Sequence, residues 1–341
     1  MTKPFFSIII PMYKVAAFVT RCIESLEEQD IPQSEYEIIC INDGSPDNCK
    51  EIIEGLQVKY SNIILLNQEN QGVSMARNNG IAIASGKYIL PIDPDDYVMP
   101  NSFGNIVALV EKLECEVLYL GFEIFDIDQK SIWKTNYSQQ NHQLFDGVEG
   151  YFQARGFDVK DPDRSWAIVY KKELLTTYKI TYPKNVPYLE DGLFLSKVFA
   201  VAQKVSFENT IFYQRTTRIG SATNSRLFYS EKAIDGFILA INDIKIFAKQ
   251  NELTSKQDEL INHTVAKFIL LAISPSIMSF NYKEYFFTLS KLKKNDVNKI
   301  ETFGLRMDYK MLAKIYNFNK VFFAIYFRFY QKIKTYKEKR C

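Results

Sequence analysis

Histidine is almost absent from this chain: two in 341 residues, His142 in a polar stretch and His263 in a helical pattern. That excludes a histidine-rich zinc centre, and nothing around either residue suggests a Ser-His-Asp triad. Cysteine is scarce as well. Its five positions (Cys22, Cys40, Cys49, Cys115 and Cys341) are scattered, odd in number and without C-x-x-C spacing. Neither a disulfide framework nor a thiolate metal site is expected, and a reducing cytoplasm is the natural compartment. No run approaches the roughly 20 apolar residues of a membrane-spanning helix. The opening "MTKPFFSIIIPMYK" is interrupted by prolines and has no cleavage pattern, so no signal peptide is expected. Neither G-x-x-x-x-G-K-S/T nor G-x-G-x-x-G occurs, which removes support for a P-loop NTPase and for a standard Rossmann dehydrogenase. An excess of one charge sign is missing too: 42 Lys and Arg face 40 Asp and Glu, and no nucleic-acid partner is expected. Any bound metal must then have oxygen ligands, which points to Mg²⁺ or Mn²⁺.

What is present is an alternation. "FFSIIIP", "YEIICIND", "NIILLNQ" and "KYILPID" are apolar runs with the look of buried strands. Residues 15–29 and 47–59 and the segment "GVSMARNNGIAIASG", ending at Gly86, read as the helices between them. The order implies an α/β fold with a mostly parallel sheet flanked by helices, and in such sheets ligands bind beyond the carboxyl ends of the strands. Those ends are Pro11-Met12-Tyr13, Asn42-Asp43-Gly44-Ser45 and Asp93-Pro94-Asp95-Asp96. Beyond residue 101 the pattern loosens, with 127–147 reading as loop or hairpin. After "TTRIGSATNS" the chain reads as helical, so a boundary is placed near 225.

Each candidate has a bland reading. Three clustered aspartates can be a solvated turn, but a buried strand delivering them suggests a cation that relieves their repulsion and holds a diphosphate. In "INDGSPD", helix capping explains Ser45 or Asp47 but not Asn42 and Asp43 in addition. Arg77 can be a surface salt bridge or can face phosphate oxygens. Glu190 and Asp191 suit a helix start through the macrodipole; the functional reading makes one of them a general base. "YQRTTRIGSATNS", with Arg215 and Arg218, is either a solvated connector or a loop that closes on phosphate.

These five segments, in this order, resemble family 2 glycosyltransferases of GT-A fold. "SIIIPMYK" looks like the family's opening strand, and "INDGSPDN" is similar to its D-D-G-S-x-D, with Asn42 in place of the first Asp. "NQGVSMARNNGIAIASGKYILPIDPDDYV" matches the G-x-S-x-A-R-N-x-G…D-x-D-D block, "LEDGLF" the E-D pair, and "YQRTTRIGS" the Y-x-R…G-S element. The resemblance covers 1–225 and implies inverting transfer of a sugar from a nucleoside diphosphate sugar, usually UDP, to a glycan or lipid-linked acceptor. It implies that Asp43 meets the uracil, beside Asn42. Main-chain groups near Pro11 and Tyr13 would line base and ribose. Asp93 would approach the ribose, with Arg77 in the same nucleotide site. Asp95 would hold Mn²⁺ or Mg²⁺, and Asp191 would be the base, with Glu190 supporting it or exchanging roles. Asp96 and Arg215 or Arg218 would meet the phosphates or the acceptor. The rivals are a domain that holds a nucleotide sugar without transferring it and a sugar nucleotidyltransferase; the latter needs a basic, Gly-rich loop that "PMYKVAAF" does not supply.

The remaining 226–341 ends in "KIYNFNKVFFAIYFRFYQKIKTYKEKR" (314–340), which sets Phe318, Phe322, Ile325, Phe329, Ile333 and Tyr336 along one helical stripe. Such a stripe reads equally as core packing and as an interfacial helix that holds the chain peripherally on the inner face of the membrane.

Overall fold

A computed structural model describes residues 3–155, 162–217 and 230–338, the side chains of 333–338 excepted. Two compact units divide the chain: Met1–Lys184 with Val201–Ala222, and Asn185–Ala200 with Thr223–Cys341.

The first unit is built on a nine-stranded sheet. Strands β1 (Phe6–Met12), β2 (Tyr36–Asp43), β3 (Ile63–Gln68) and β4 (Tyr88–Pro91) alternate with helices α1 (Val19–Glu27), α2 (Cys49–Lys59) and α3 (Val73–Ile83). They pair in parallel in the order β3-β2-β1-β4. Every residue of β1 is buried, and every residue of β2 except Glu37. Continuous apolar runs are what a strand covered on both faces requires, so the alternation read from the sequence matches the structure here. Helix α3 lies close on the sheet because Gly80 has no side chain. A Cβ there would come within 2.7 Å of Ile41 Cδ1 and 2.8 Å of Ile9 Cγ2. The helix ends at Ile83, short of Gly86, because Ala84 leaves helical geometry with ψ 134.

The other half of the sheet is mixed. It holds β5 (Tyr97–Val98), β6 (Val117–Phe125), β7 (Ser131–Lys134), β8 (Ile168–Lys171) and β9 (Val205–Thr216), with helices α4 (Phe103–Leu113), α5 (Gly147–Gln153) and α6 (Lys172–Thr177) alongside. Strand β8 runs antiparallel between β4 and β6, while β9 runs parallel to β6. The segment 127–147 supplies β7, the return strand of a hairpin on β6. The end of β9 pairs antiparallel with β5, the strand that leaves the aspartate cluster.

The second unit is helical: α7 (Glu190–Val201, all but its last residue), α8 (Glu231–Gln250), α9 (Ser255–Met278), α10 (Tyr282–Lys294), α11 (Met307–Phe318) and α12 (Lys320–Glu338). Ser230 caps α8 through Ala233 N, and Thr254 with Gln257 forms a capping box on α9. Helix α9 is long and apolar enough to cross a bilayer by length and composition, although Lys, Thr and Ser break its apolar run. Yet 72% of its most apolar stretch is buried, and Thr264 on it donates to Ser196 Oγ at 2.9 Å. It is the central helix of this unit.

Candidate active site

The tips of β1, β2, β3 and β4 stand at one edge of the sheet, in register Met12 with Asn42, Asn42 with Asn67 and Asp43 with Gln68. Two loops are tied together there. Lys14 N–H donates to Ser45 Oγ at 2.7 Å, and Ala16 N–H donates to Asp47 Oδ2 at 2.8 Å. Burial alone would push the Asp47 carboxyl up, but hydrogen bonds from Ser45, Ala16 and Cys49 outweigh it and hold it at about 2. Asp47 therefore joins two loops, and α2 starts only at Cys49. Gly44 takes φ +61, and a Cβ there would lie 2.9 Å from Asn70 N, so the turn after Asp43 requires glycine. Pro11 is buried and Tyr13 is exposed at this edge.

Asp43 is 3% exposed and its carboxylate is well partnered. Gln68 Nε2 donates to Oδ1 at 2.7 Å, Gln71 N–H to Oδ1 at 2.8 Å, and Gly72 N–H to Oδ2 at 2.9 Å. Gly72 is the N-cap of α3, where backbone N–H groups lack helical partners and the helix dipole favours an anion. Asn42 is buried beside it. Its amide N–H donates to Asn67 Oδ1 at 2.9 Å, and its Oδ1 accepts from Ser45 N–H at 3.0 Å.

Helix α3 then reaches the second acidic tip. Arg77 Nη2 donates to Asp93 Oδ1 at 2.9 Å, and the guanidinium lies 5.2 Å from the Tyr182 ring centre. Asn78, one residue on, grips the Tyr182 backbone twice: Nδ2 donates to the carbonyl at 2.9 Å and Oδ1 accepts the N–H at 2.8 Å. Asn79 donates to Gln68 Oε1 at 2.7 Å, which completes a chain to Asp43. The A-R-N-N segment is thus a row of clamps. Arg77→Met should cost about 1.5–3 kcal/mol, the range for a hydrogen bond to a charged group, read by urea unfolding. Arg77→Lys should recover only part of it, because an ammonium lacks the planar stacking face; full recovery would reduce Arg77 to a point charge.

The ligand oxygens of Asp93, Asp95 and Asp96 lie within 4.8 Å of one another. Asp93 and Asp95 are partly exposed and Asp96 is 4% exposed. Strand β9 holds this turn. Tyr213 Oη donates to Asp96 Oδ2 at 2.6 Å and accepts from Asp93 N–H at 3.2 Å. Thr216 N–H donates to Asp96 Oδ1 at 2.7 Å, and its hydroxyl donates to the Asp95 carbonyl at 2.6 Å. Burial, then the charges of Asp95 and Asp93, push the Asp96 carboxyl well above its ordinary range, although Tyr213 and Thr216 pull it down. Three carboxylates whose oxygens converge in this way suit a hard divalent cation; an all-oxygen donor set fits Mn²⁺ or Mg²⁺.

Tyr213, Thr216 and Gln68 do work that the motif reading missed; only Tyr213 carried a signal, as the tyrosine of "YQRT". The ring of Trp166, just ahead of β8, stacks on Tyr213 at 4.7 Å, and the Arg215 guanidinium lies 5.9 Å from the Trp166 ring centre. Arg218 lies outside the described residues. Glu190 and Asp191 open α7 in the second unit, directly after Leu189, whose φ is +60. A leucine in the left-handed region costs of order 1–3 kcal/mol and persists only where its surroundings impose it.

The family described as Glycosyl transferase family 2 matches residues 7–172. The chain is 31% identical over 202 residues to Uncharacterized glycosyltransferase EpsJ of Bacillus subtilis, covering 59% of this chain and 58% of that protein. To the poly(ribitol-phosphate) beta-glucosyltransferase of Bacillus spizizenii it is 27% identical over 206 residues, 59% of this chain and 30% of that protein. It thus spans little more than half of the first and under a third of the second. A crystal structure of Staphylococcus aureus TarS 1-349 in complex with UDP-GlcNAc superposes with a TM-score of 0.60 at 19% identity, over 86% of this chain and 90% of that one; the likeness is one of fold. Motif order and the match over 7–172 agree that residues 7–172 form a glycosyl transferase family 2 domain, in a chain of GT-A fold.

Proposed function

We propose that the chain transfers a sugar from a UDP-sugar to a hydroxyl of a glycan or lipid-linked acceptor, with inversion at the anomeric carbon. The observation that carries this reading is the rigid acidic tip after β4: three carboxylates within 4.8 Å, braced by Arg77, Tyr213 and Thr216. UDP as the nucleotide is supported by the donor named for the TarS complex.

In this reading Asp43, through its bonds to loop 68–72, shapes the nucleobase end, with Asn42, Pro11 and Tyr13 along the same edge. Asp93, steered by Arg77, faces the ribose. Asp95 would hold Mn²⁺ or Mg²⁺, which when bound neutralises diphosphate oxygens as negative charge grows on the departing UDP. Both oxygens of Asp96 are engaged by β9, so we assign it to bracing the turn instead of to phosphate or acceptor. Arg215 or Arg218 meets the diphosphate or the acceptor. The acceptor hydroxyl attacks the anomeric carbon from the face opposite the diphosphate. Its proton passes to Asp191, supported by Glu190, while the bond to the diphosphate oxygen breaks. One displacement of this kind needs one base and no protein nucleophile. Residues 1–225 would carry the chemistry and 226–341 would hold the chain at the cytoplasmic membrane face, where a lipid-linked acceptor lies.

Hydrolysis of UDP-, GDP- and dTDP-sugars with Mn²⁺, Mg²⁺ or EDTA, alongside UDP binding by calorimetry, tests the reading. Metal-dependent release of UDP from a UDP-sugar is expected. Binding without turnover, with or without added acceptor glycans, would favour a donor-holding domain. Release of pyrophosphate from UTP and a sugar phosphate would favour a nucleotidyltransferase.

A further inference from the structure

Four members of the aromatic stripe singled out in the sequence, Phe318, Phe322, Ile325 and Phe329, are not packed into the core; the side chains of Ile333 and Tyr336 lie outside the described ones. On α12, Val321, Phe322, Ile325 and Phe329 are exposed, Phe329 at 63%, and Lys332 continues the same line of the helix. Phe318, at the end of α11, is 87% exposed. The opposite side of α12 does the packing: Phe323, Ala324 and Phe327 are buried, with Phe323 edge-on to Tyr316 at 5.2 Å and stacked on Phe327 at 5.3 Å. The helix is held in the unit by its other face, by Tyr326 Oη against Met311 Sδ at 3.6 Å, and by Tyr285 Oη donating to the Lys320 carbonyl at 2.8 Å. Its orientation is therefore set, and the large apolar side chains point outward.

Charge is segregated in the same stretch. Residues 303–332 hold six Lys and Arg against one Asp, which leaves 36 against 39 in the rest of the chain. Lys310 and Lys314 on α11 and Lys332 on α12 are exposed. A second copy is a poor occupant for this face. A twofold contact sets a patch against itself, and here it would oppose two strongly basic surfaces. An anionic lipid surface satisfies both features, because aromatic and aliphatic side chains enter the headgroup boundary while long basic side chains keep their charge among the headgroups.

We propose that the exposed face of α12, with the cations of α11, lies flat on an anionic bilayer and that this face is the membrane contact of the protein. The inference rests on the membrane location given in the proposed function and assigns the side chains that make the contact. It is independent of whether the sugar is transferred.

Co-sedimentation of the full chain with phosphatidylcholine–phosphatidylglycerol vesicles, and with phosphatidylcholine vesicles alone, tests it. The chain is expected to bind the mixed vesicles, more weakly at high salt, and hardly to bind the neutral ones. The triple variant Phe322→Ser, Ile325→Ser, Phe329→Ser should lose at least about tenfold in partitioning with an unchanged circular dichroism spectrum, since the three side chains are exposed. Lys314→Glu with Lys332→Glu should lose more, because each basic residue near such a surface contributes roughly a fivefold factor. Wild-type protein that ignores anionic vesicles, or a triple variant that binds like wild type, overturns the proposal. So does a wild-type dimer in solution that the triple variant converts to a monomer, which would make a second copy the occupant. UDP release from UDP-sugars in vesicle-free buffer keeps the two readings separate: vesicle binding without UDP release, with or without added acceptor glycans, would sink the catalytic reading and leave this one standing.

Discussion

Asp191→Asn is expected to slow sugar transfer by about 10²–10⁴, the contribution of a positioned general base, while UDP affinity stays within about threefold. That loss equals roughly 3–5 kcal/mol of transition-state stabilisation. Asparagine keeps the size of the side chain and its hydrogen-bonding oxygen but cannot take the proton of the acceptor hydroxyl. Asp191 is the second residue of α7, after Glu190, which follows Leu189 at φ +60. Glu190→Gln measured beside it separates the pair, since a supporting carboxylate should cost less than the base. Turnover near wild type in Asp191→Asn would remove Asp191 from the role, and a larger loss in Glu190→Gln would exchange the two.

Asp95→Ala should produce the second large effect, of a different kind. Asp96 is committed to Tyr213 and Thr216, and Asp93 to Arg77; Asp95, partly exposed between them, is the metal ligand proposed above. Its removal is expected to abolish Mn²⁺ stimulation, to lower donor turnover by at least about 10², and to leave the unfolding midpoint almost unchanged, as for a partly exposed site. Titration of Mn²⁺ with UDP, followed calorimetrically, reads the metal directly. An Asp95→Ala protein that still binds Mn²⁺–UDP with wild-type affinity would move the metal site elsewhere.

Much of the first unit was legible because its strands are covered on both faces. Full burial leaves an unbroken apolar run such as Phe6–Met12, and the polar residues that end each run mark a strand tip. Topology alone then brings Asp43 and the Asp93–Asp96 turn to one edge. The mixed half of the sheet was less legible. Nothing in "AIVYK" announces that β8 runs against β4 and β6, because strand direction depends on partners far away in the chain. The same distance hid the braces of the site: Tyr213 meets Asp96 across 117 residues, and Asn78 meets Tyr182 across 104. Motif spacing marked Arg77 and Asp96 as important without separating a side chain that touches substrate from one that holds its neighbour.

By itself the sequence determined the family, the strand-and-helix alternation and the identity of the acidic groups, because these are carried by local composition and by the spacing of motifs. Only the tertiary structure decided which of those groups are bound up in bracing and which side of α12 is covered. That helix is apolar nearly all round from Val321 to Phe327, so periodicity cannot choose its inner face. The choice falls to the neighbours it packs against, Tyr316 and Met311 on α11 and Tyr285 on α10, and it leaves Phe322, Ile325 and Phe329 facing outward.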